Sequence, residues 1–270
     1  MVVDVGATEI RAGLSGSATP SVSARTATSD SETLITQVAE MVRTVLGRYP
    51  KLAANIVSVG CPGVVLNGAV ERALYLPLTG VDVAAELKCR IGAPVMVSND
   101  VDAQAVGAIA VPSKSYFVIA VGTAVGGAYV EDGDLQQGRA GSIAEIGHLP
   151  VGVTSERCEC GGVGCLDVSM GGWALDRKLG PGWWAQMTPE ADAALHLAGV
   201  ALSRATRAVG ALYDIDYVLM LGKVFGFTAI WKGFYSEHAG LGADVPITAS
   251  RVTWEYAARG LGRIAQRGGE

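Results

Sequence analysis

Apolar and polar positions follow two rhythms along this chain, one with a period of two and one with a period near 3.6. Val2-Val3-Asp4-Val5 is a short apolar run that stops at Gly6, and residues 10–14 resume it. A tight turn between them predicts a hairpin with Asp4, Gly6 and Thr8 at its end. Residues 20–28 alternate as a third strand. Ser29-Asp30-Ser31 then offers capping oxygens to a helix in which Leu34, Ile35, Val38, Met41, Val42, Val45 and Leu46 recur at the helical period. Residues 56–60 read as a strand closed by Pro62-Gly63, and 81–91 as a helix. Residues 94–98 read as a strand feeding Asn99-Asp100 and an alanine-rich helix.

The second half returns to the opening theme. Residues 116–121 form a strand, Gly122-Thr123-Ala124 a turn, and 125–130 a second strand. Two such units suggest a duplicated architecture with a cleft between the halves. Thr188-Pro189 opens a long helix through Leu195, Leu202, Ala205, Val209 and Leu212, with threonine as cap and proline in the first turn. A strand over 217–221 ends at Gly222, and a last helix covers 254–266. The expected division is a small N-terminal α/β domain over 1–111 and a larger one over 112–253, with the final helix returning to the first.

Composition narrows the class. Half of the 270 residues are apolar, enough for a sizeable core, and the 36 glycines fit turns between short strands in a mixed α/β protein better than a helical bundle. A net charge of −5 without a basic run argues against nucleic acid as a partner. The longest uncharged runs, 52–70 and 115–130, are broken by Gly60, Pro62, Gly63 and Gly68 and by Gly122, Gly126 and Gly127, so no membrane span is expected. An odd cysteine count of five, without a charged-then-apolar leader, points to a reducing cytoplasm.

Two groups of residues carry chemistry. Three of the five cysteines stand in Cys158-x-Cys160-x4-Cys165, ten residues after Glu145-Ile146-Gly147-His148. Thiolate and imidazole converging as Cys3His is a standard structural zinc set, and the interleaved glycines let the backbone wrap an ion. The alternative is a group of buried free thiols and a core histidine. Cys61 and Cys89 read as ordinary packed thiols. The second group consists of four strand ends: Asp4-x-Gly6-x-Thr8, Asn99-Asp100, Gly122-Thr123-x-x-Gly126-Gly127, and Gly222. Ligands of α/β folds collect at the carboxyl ends of strands, where glycine and threonine turns present N–H and hydroxyl groups to phosphate. A carboxylate such as Asp4 among them suits Mg2+. Taken alone, Asp-x-Gly is a plain turn and Asn99-Asp100 a helix cap.

The order of these segments resembles the ROK family of repressors, open reading frames and sugar kinases. Asp4-Val5-Gly6-Ala7-Thr8 through Arg11 is similar to its first phosphate segment, Ser98-Asn99-Asp100-Val101-Asp102-Ala103 to its catalytic stretch, and Gly122 to Gly127 to its second phosphate turn. Glu145-Ile146-Gly147-His148 and the run from Cys158 to Asp167 resemble its sugar-and-zinc segment. The resemblance implies an actin-like, ribonuclease-H-like fold of two α/β domains, with ATP and sugar meeting in the cleft. It implies Asp100 as general base toward a sugar hydroxyl, and Asn99, Glu145, His148 and Asp167 as sugar contacts. Asp4, Gly6, Thr8, Gly122, Thr123 and Gly222 would attend ATP and Mg2+. His148, Cys158, Cys160 and Cys165 would hold structural Zn2+. The resemblance further implies a homodimer or homotetramer.

Four positions depart from the family pattern. Asp167 replaces the usual glutamate, Tyr75 stands where an asparagine contacts sugar, Ala124 occupies a phosphate-turn glycine position, and Lys223 follows Gly222 and points to phosphate or to solvent. The first two touch the sugar pocket and favour an amino- or otherwise modified hexose over plain glucose. The family's regulators carry an N-terminal helix-turn-helix for which no room is expected before Val2. The alternative reading is a non-catalytic sugar-binding or regulatory protein.

Overall fold

All four residues of β1 (Val2–Val5) are buried, the mark of a strand in the middle of a sheet. It pairs antiparallel with β2 (Glu9–Gly13), which pairs with the edge strand β3 (Val22–Arg25). After α1 (Ser31–Arg48) the chain adds β4 (Val57–Cys61) parallel to β1. A small three-stranded antiparallel sheet follows, of β5 (Val64–Leu66), β6 (Ala69–Arg72) and β7 (Val81–Asp82). Then come α2 (Val83–Ile91), β8 (Val95–Asn99) parallel to β4, and α3 (Asp100–Ala108). The main sheet runs β3-β2-β1-β4-β8. The structure, a computed structural model, describes residues 1–50, 56–109, 113–240 and 242–267; the expected boundary at 111 lies outside them.

The same order recurs further along. β9 (Tyr116–Val121), β10 (Val125–Glu131) and β11 (Asp134–Gln136) form an antiparallel meander. Two short helices, α4 (Leu166–Met170) and α5 (Gly172–Leu179), precede the long α6 (Pro189–Leu212). β12 (Tyr217–Leu221) joins parallel to β9, and after α7 (Thr228–Glu237) β13 (Ile247–Ser250) joins parallel to β12. The sheet order is β11-β10-β9-β12-β13, the first sheet's pattern repeated. The closing helix is α8 (Trp254–Arg267).

The chain divides into two compact units. The first comprises 1–110, 137–143 and 253–270, the second 111–136 and 144–252. In the first, α1 buries Leu34, Ile35, Val38, Ala39, Met41, Val42 and Val45, the stripe its periodicity predicts. Asp30 caps it, accepting from the Thr33 N–H at 2.8 Å. At about 1.5–3 kcal/mol per large apolar side chain, this one face outweighs the helix's intrinsic propensity. α8 packs on α3 closely enough that a Cβ on Gly260 would lie 1.7 Å from the Ala103 carbonyl oxygen. Arg263 then reaches the carbonyls of Val106 and Ile109, at 2.7 and 2.9 Å, where a helix C-terminus favours a cation.

In the second unit, Phe117, Ile119, Leu166, Met170, Leu195, Leu202 and Phe234 share one core. Thr188 caps α6 as predicted, accepting from the Ala191 N–H at 3.2 Å. No helix among the described residues is long and apolar enough to cross a membrane.

Candidate active site and metal centre

In the first unit, β8 delivers Asn99 and Asp100 to the point where strand becomes helix. Asn99 is the N-cap of α3. Its Oδ1 accepts from the N–H groups of Val101 and Asp102, at 2.8 and 3.0 Å, and its Nδ2 donates to the Gly63 carbonyl at 2.9 Å. That triple attachment fixes the first turn, so Asp100 takes the first helical position. A helix N-terminus favours a carboxylate. Burial nevertheless wins: with the nearby Asp4 carboxylate it pushes the Asp100 carboxyl up to about 7, against lowering by the Val101 N–H. Such a group exchanges a proton near neutral pH.

Asp4 is 4 % exposed, and Arg11 faces it in the β1–β2 register. Arg11 Nε lies 3.1 Å from Asp4 Oδ2, and a second guanidinium nitrogen bonds the same oxygen. Arg11 Nη1 also donates to Thr253 Oγ1 at 3.0 Å, and the Trp254 ring lies 5.8 Å from the guanidinium carbon. The turn beyond Asp4 is held by Thr26, whose hydroxyl donates to the Gly6 carbonyl at 2.6 Å and whose N–H donates to the Thr8 carbonyl at 3.0 Å. Thr8 itself is exposed at the hairpin tip. Cys61 is buried beneath, its thiol raised far above the usual range by burial and then by Asp100 and Asp4. Cys89, expected to be packed, is instead exposed on α2, whose buried face is Val83 and Leu87.

In the second unit, Gly122 and Gly222 follow the neighbouring parallel strands β9 and β12. Gly122 is exposed and Thr123 half-buried. Gly222 has φ +145, outside the range of other residues. Ala124, at a position usual for glycine, is not among the residues with positive φ, so the turn accepts its side chain without backbone strain. Lys223 is exposed, which favours solvent.

The loop after β11 gathers His148, Cys158, Cys160 and Cys165, whose ligand atoms all lie within 4.8 Å of one another. His148 Nδ1 is 3.5 Å from Cys158 Sγ, and Cys160 Sγ is 3.8 Å from Cys165 Sγ. Zn–S bonds of about 2.3 Å and a Zn–N bond of about 2.0 Å in a tetrahedron require roughly 3.5 Å for S···N and 3.8 Å for S···S. The donor set and its spacing therefore fit zinc. Without a cation, burial pushes the Cys165 thiol up to about 12, a preference that thiolate ligation reverses. Glu156 ties this loop to α5, pairing with Arg177 and with Lys178 at 3.1 Å.

Glu145 is exposed immediately before the 3-10 turn Ile146–His148. Gly147 packs so tightly that a Cβ there would sit 2.0 Å from the Val125 carbonyl oxygen. Asp167 differs from the other expected sugar contacts. It is fully buried in the first turn of α4, with Oδ1 accepting from the Val125 N–H at 2.7 Å and Oδ2 from the Trp173 indole at 2.8 Å. Trp173 and the Val125 amide were not singled out in the sequence, because nothing in their spacing announces a role.

A glucokinase of Thermotoga maritima is 33% identical over 159 residues, 56% of this chain and 49% of that protein. An N-acetylmannosamine kinase of Vibrio cholerae is 27% identical over 145 residues, 48% of this chain and 50% of that one. A xylose repressor of Caldicellulosiruptor bescii aligns at 25% over 152 residues, 51% and 37% of the two chains. The match spans about half the length of the two kinases. Among solved structures, a ROK family glucokinase from Streptomyces griseus, in complex with glucose and AMPPNP, superimposes with a TM-score of 0.84 at 21% identity, over 98% of each chain. That likeness gives the chain the actin-like, ribonuclease-H-like α/β fold. The ROK family profile matches residues 1–231, and the chain belongs to the ROK family.

Proposed function

We propose that the chain is an ATP-dependent sugar kinase that transfers the γ-phosphate to a hydroxyl of a hexose, with an amino- or otherwise modified hexose preferred. The observation that carries this reading is Asp100, capped into place by Asn99 and with its carboxyl lifted to about 7. Phosphoryl transfer to an alcohol needs positioning, charge neutralisation and one group to take the hydroxyl proton. In this reading Asp100 Oδ accepts that proton as the sugar oxygen attacks phosphorus. Asn99, Glu145 and the second nitrogen of His148 orient the sugar, Gly6, Thr8, Gly122, Thr123 and Gly222 line the phosphates, and Asp4 takes part in Mg2+ binding. Bound Mg2+ would neutralise phosphate charge. Zn2+ on His148, Cys158, Cys160 and Cys165 would brace the loop and take no part in the transfer. A cytoplasmic homodimer or homotetramer completes the reading, checked by sedimentation.

Family relatives named as kinases support the reading, as does the chain's possession of both phosphate-type turns. The repressor relative supports a second one, a sugar-responsive protein that transfers nothing. A coupled ADP-release assay across hexoses and amino-hexoses separates them. Turnover with at least one sugar is expected. Sugar binding by calorimetry without any ADP release would establish the second reading, and a clear preference for glucose would refute the modified-hexose assignment.

A further inference from the structure

Asp167 is fully buried, and its two carboxylate oxygens meet the start of β10 and the α5 indole of Trp173. Val125, whose N–H it accepts at 2.7 Å, is the first residue of β10, directly after the turn Gly122-Thr123-Ala124. Trp173, whose indole it accepts at 2.8 Å, also binds that turn through its backbone: its N–H donates to the Thr123 carbonyl at 2.9 Å. Gly172 N–H donates to the Gly122 carbonyl at 3.0 Å. The turn is thus gripped by the α4–α5 junction through three hydrogen bonds, and a fourth, from the Trp173 indole to Asp167, braces the carboxylate from within the junction.

The same junction begins in the metal loop. Cys165, one of the clustered thiols, is the N-cap residue of α4 two positions before Asp167. Leu166 N–H donates to the Leu149 carbonyl at 2.9 Å, next to His148. Gly147 abuts the Val125 carbonyl. Val125 is 5 % exposed, so its N–H has no recourse to water if Asp167 is lost. Charge-assisted bonds from a buried carboxylate are the stronger kind.

We propose that Asp167 is a positioning residue that clamps the turn Gly122-Thr123-Ala124 to the loop carrying the thiol cluster, and thereby sets affinity for the nucleotide rather than for the sugar. The proposal rests on the kinase reading, which gives this turn to the phosphates. The position usual for a sugar-contacting glutamate has, with the shorter aspartate, become an internal strut.

The test uses Asp167→Asn and Trp173→Phe in the full chain, with kinetics for both substrates and amide hydrogen exchange. Asp167→Asn turns an amino group toward one of the two donors and is expected to raise KM for ATP by about tenfold, with sugar KM changed less than about twofold. Exchange at the Val125 amide should quicken by about tenfold or more. Trp173→Phe, which removes only the indole donor, should move the same quantities about threefold and covers the case in which the first variant does not fold. A rise in sugar KM with ATP KM and Val125 exchange unchanged overturns the proposal and returns Asp167 to the sugar. If the wild type phosphorylates nothing, the kinase reading fails by itself. Val125 exchange then still decides the clamp: unchanged protection in Asp167→Asn sinks it.

Discussion

Asp4 and Arg11 face each other across the β1–β2 ladder, and the guanidinium grips a single oxygen of the carboxylate through two nitrogens. With side-chain exposures of 21% for Arg11 and 6% for Asp4, water screens the pair little. Removing one partner of such a pair costs far more than the pair itself is worth, because a charge is left desolvated. Arg11→Met should therefore lose about 2–3 kcal/mol of stability in urea unfolding at pH 7. The double variant Arg11→Met with Asp4→Asn should regain most of it. A loss under about 0.5 kcal/mol for the single variant would show that Asp4 is solvated despite its burial.

The elevated Asp100 carboxyl fixes two pH dependences of opposite sign. For activity, kcat/KM should rise with pH through about 7, as the base loses its proton. Asp100→Asn should lower kcat by about 10³-fold while sugar still binds. For stability, a folded-state value above the unfolded one means that the native state binds the proton more tightly. The associated stability is full below about pH 4 and disappears as pH rises through 7. Asparagine has no such charge to bury. The Tm of Asp100→Asn relative to wild type should thus climb between pH 5 and pH 8, by the equivalent of about 1–2 kcal/mol. A pH-independent difference would mean that Asp100 is not desolvated in the folded chain.

Much of this was legible beforehand, and the reasons are physical. Strands such as 116–121 and helices such as α1 and α6 are long or apolar enough for periodicity to show, and Asp30 and Thr188 cap as their hydroxyl and carboxylate chemistry demands. The thiol cluster was legible because cysteines crowded among glycines have few other uses. α4 and α5, with five and eight residues, span too few turns to betray a period, and β5 to β7 are shorter than the window that detects alternation. Side-chain direction was not legible in the loops and the shortest helices. Asp167 could face solvent or core from its position in the chain, and only the placement of Val125 and Trp173 turns it inward. Ala124, at a glycine position of the turn, carries no left-handed strain, whereas Ala144, which no turn signal marks, does.

The metal loop gives the third prediction. Purified protein should carry about one zinc per chain, and the four-residue donor set should dominate local stability because Cys165 and Cys158 are buried, where ligation would offset the desolvation of their thiolates. Chelation should lower the melting transition of the second unit by roughly 5–15 °C, in line with about 3–4 kcal/mol of binding linkage. Cys165→Ser should do the same without chelator. Protein free of metal by mass spectrometry, with an unchanged transition after chelation, would make these residues free thiols.

Ala144 supplies the last prediction, one that sets stability against function. Its φ of +63 lies in the left-handed region, at a cost of about 1–2 kcal/mol for a residue with a Cβ. The turned backbone brings the Ala144 carbonyl against β10, where a Cβ on Gly127 would come within 2.3 Å of its oxygen. It also sets the direction in which the next residue, Glu145, leaves the chain toward solvent. Ala144→Gly relieves the Cβ strain but admits more unfolded conformations, and the first effect exceeds the second, so a gain of up to about 1 kcal/mol is expected. Ala39→Gly, on the buried face of α1, should by contrast lose about 1 kcal/mol. If the strain serves to aim Glu145, the stabilised Ala144→Gly variant should show a sugar KM raised severalfold with ATP KM unchanged. Equal stability and equal KM values in wild type and variant would mean that the left-handed turn is merely tolerated, and that Glu145 takes its direction from the 3-10 turn after it.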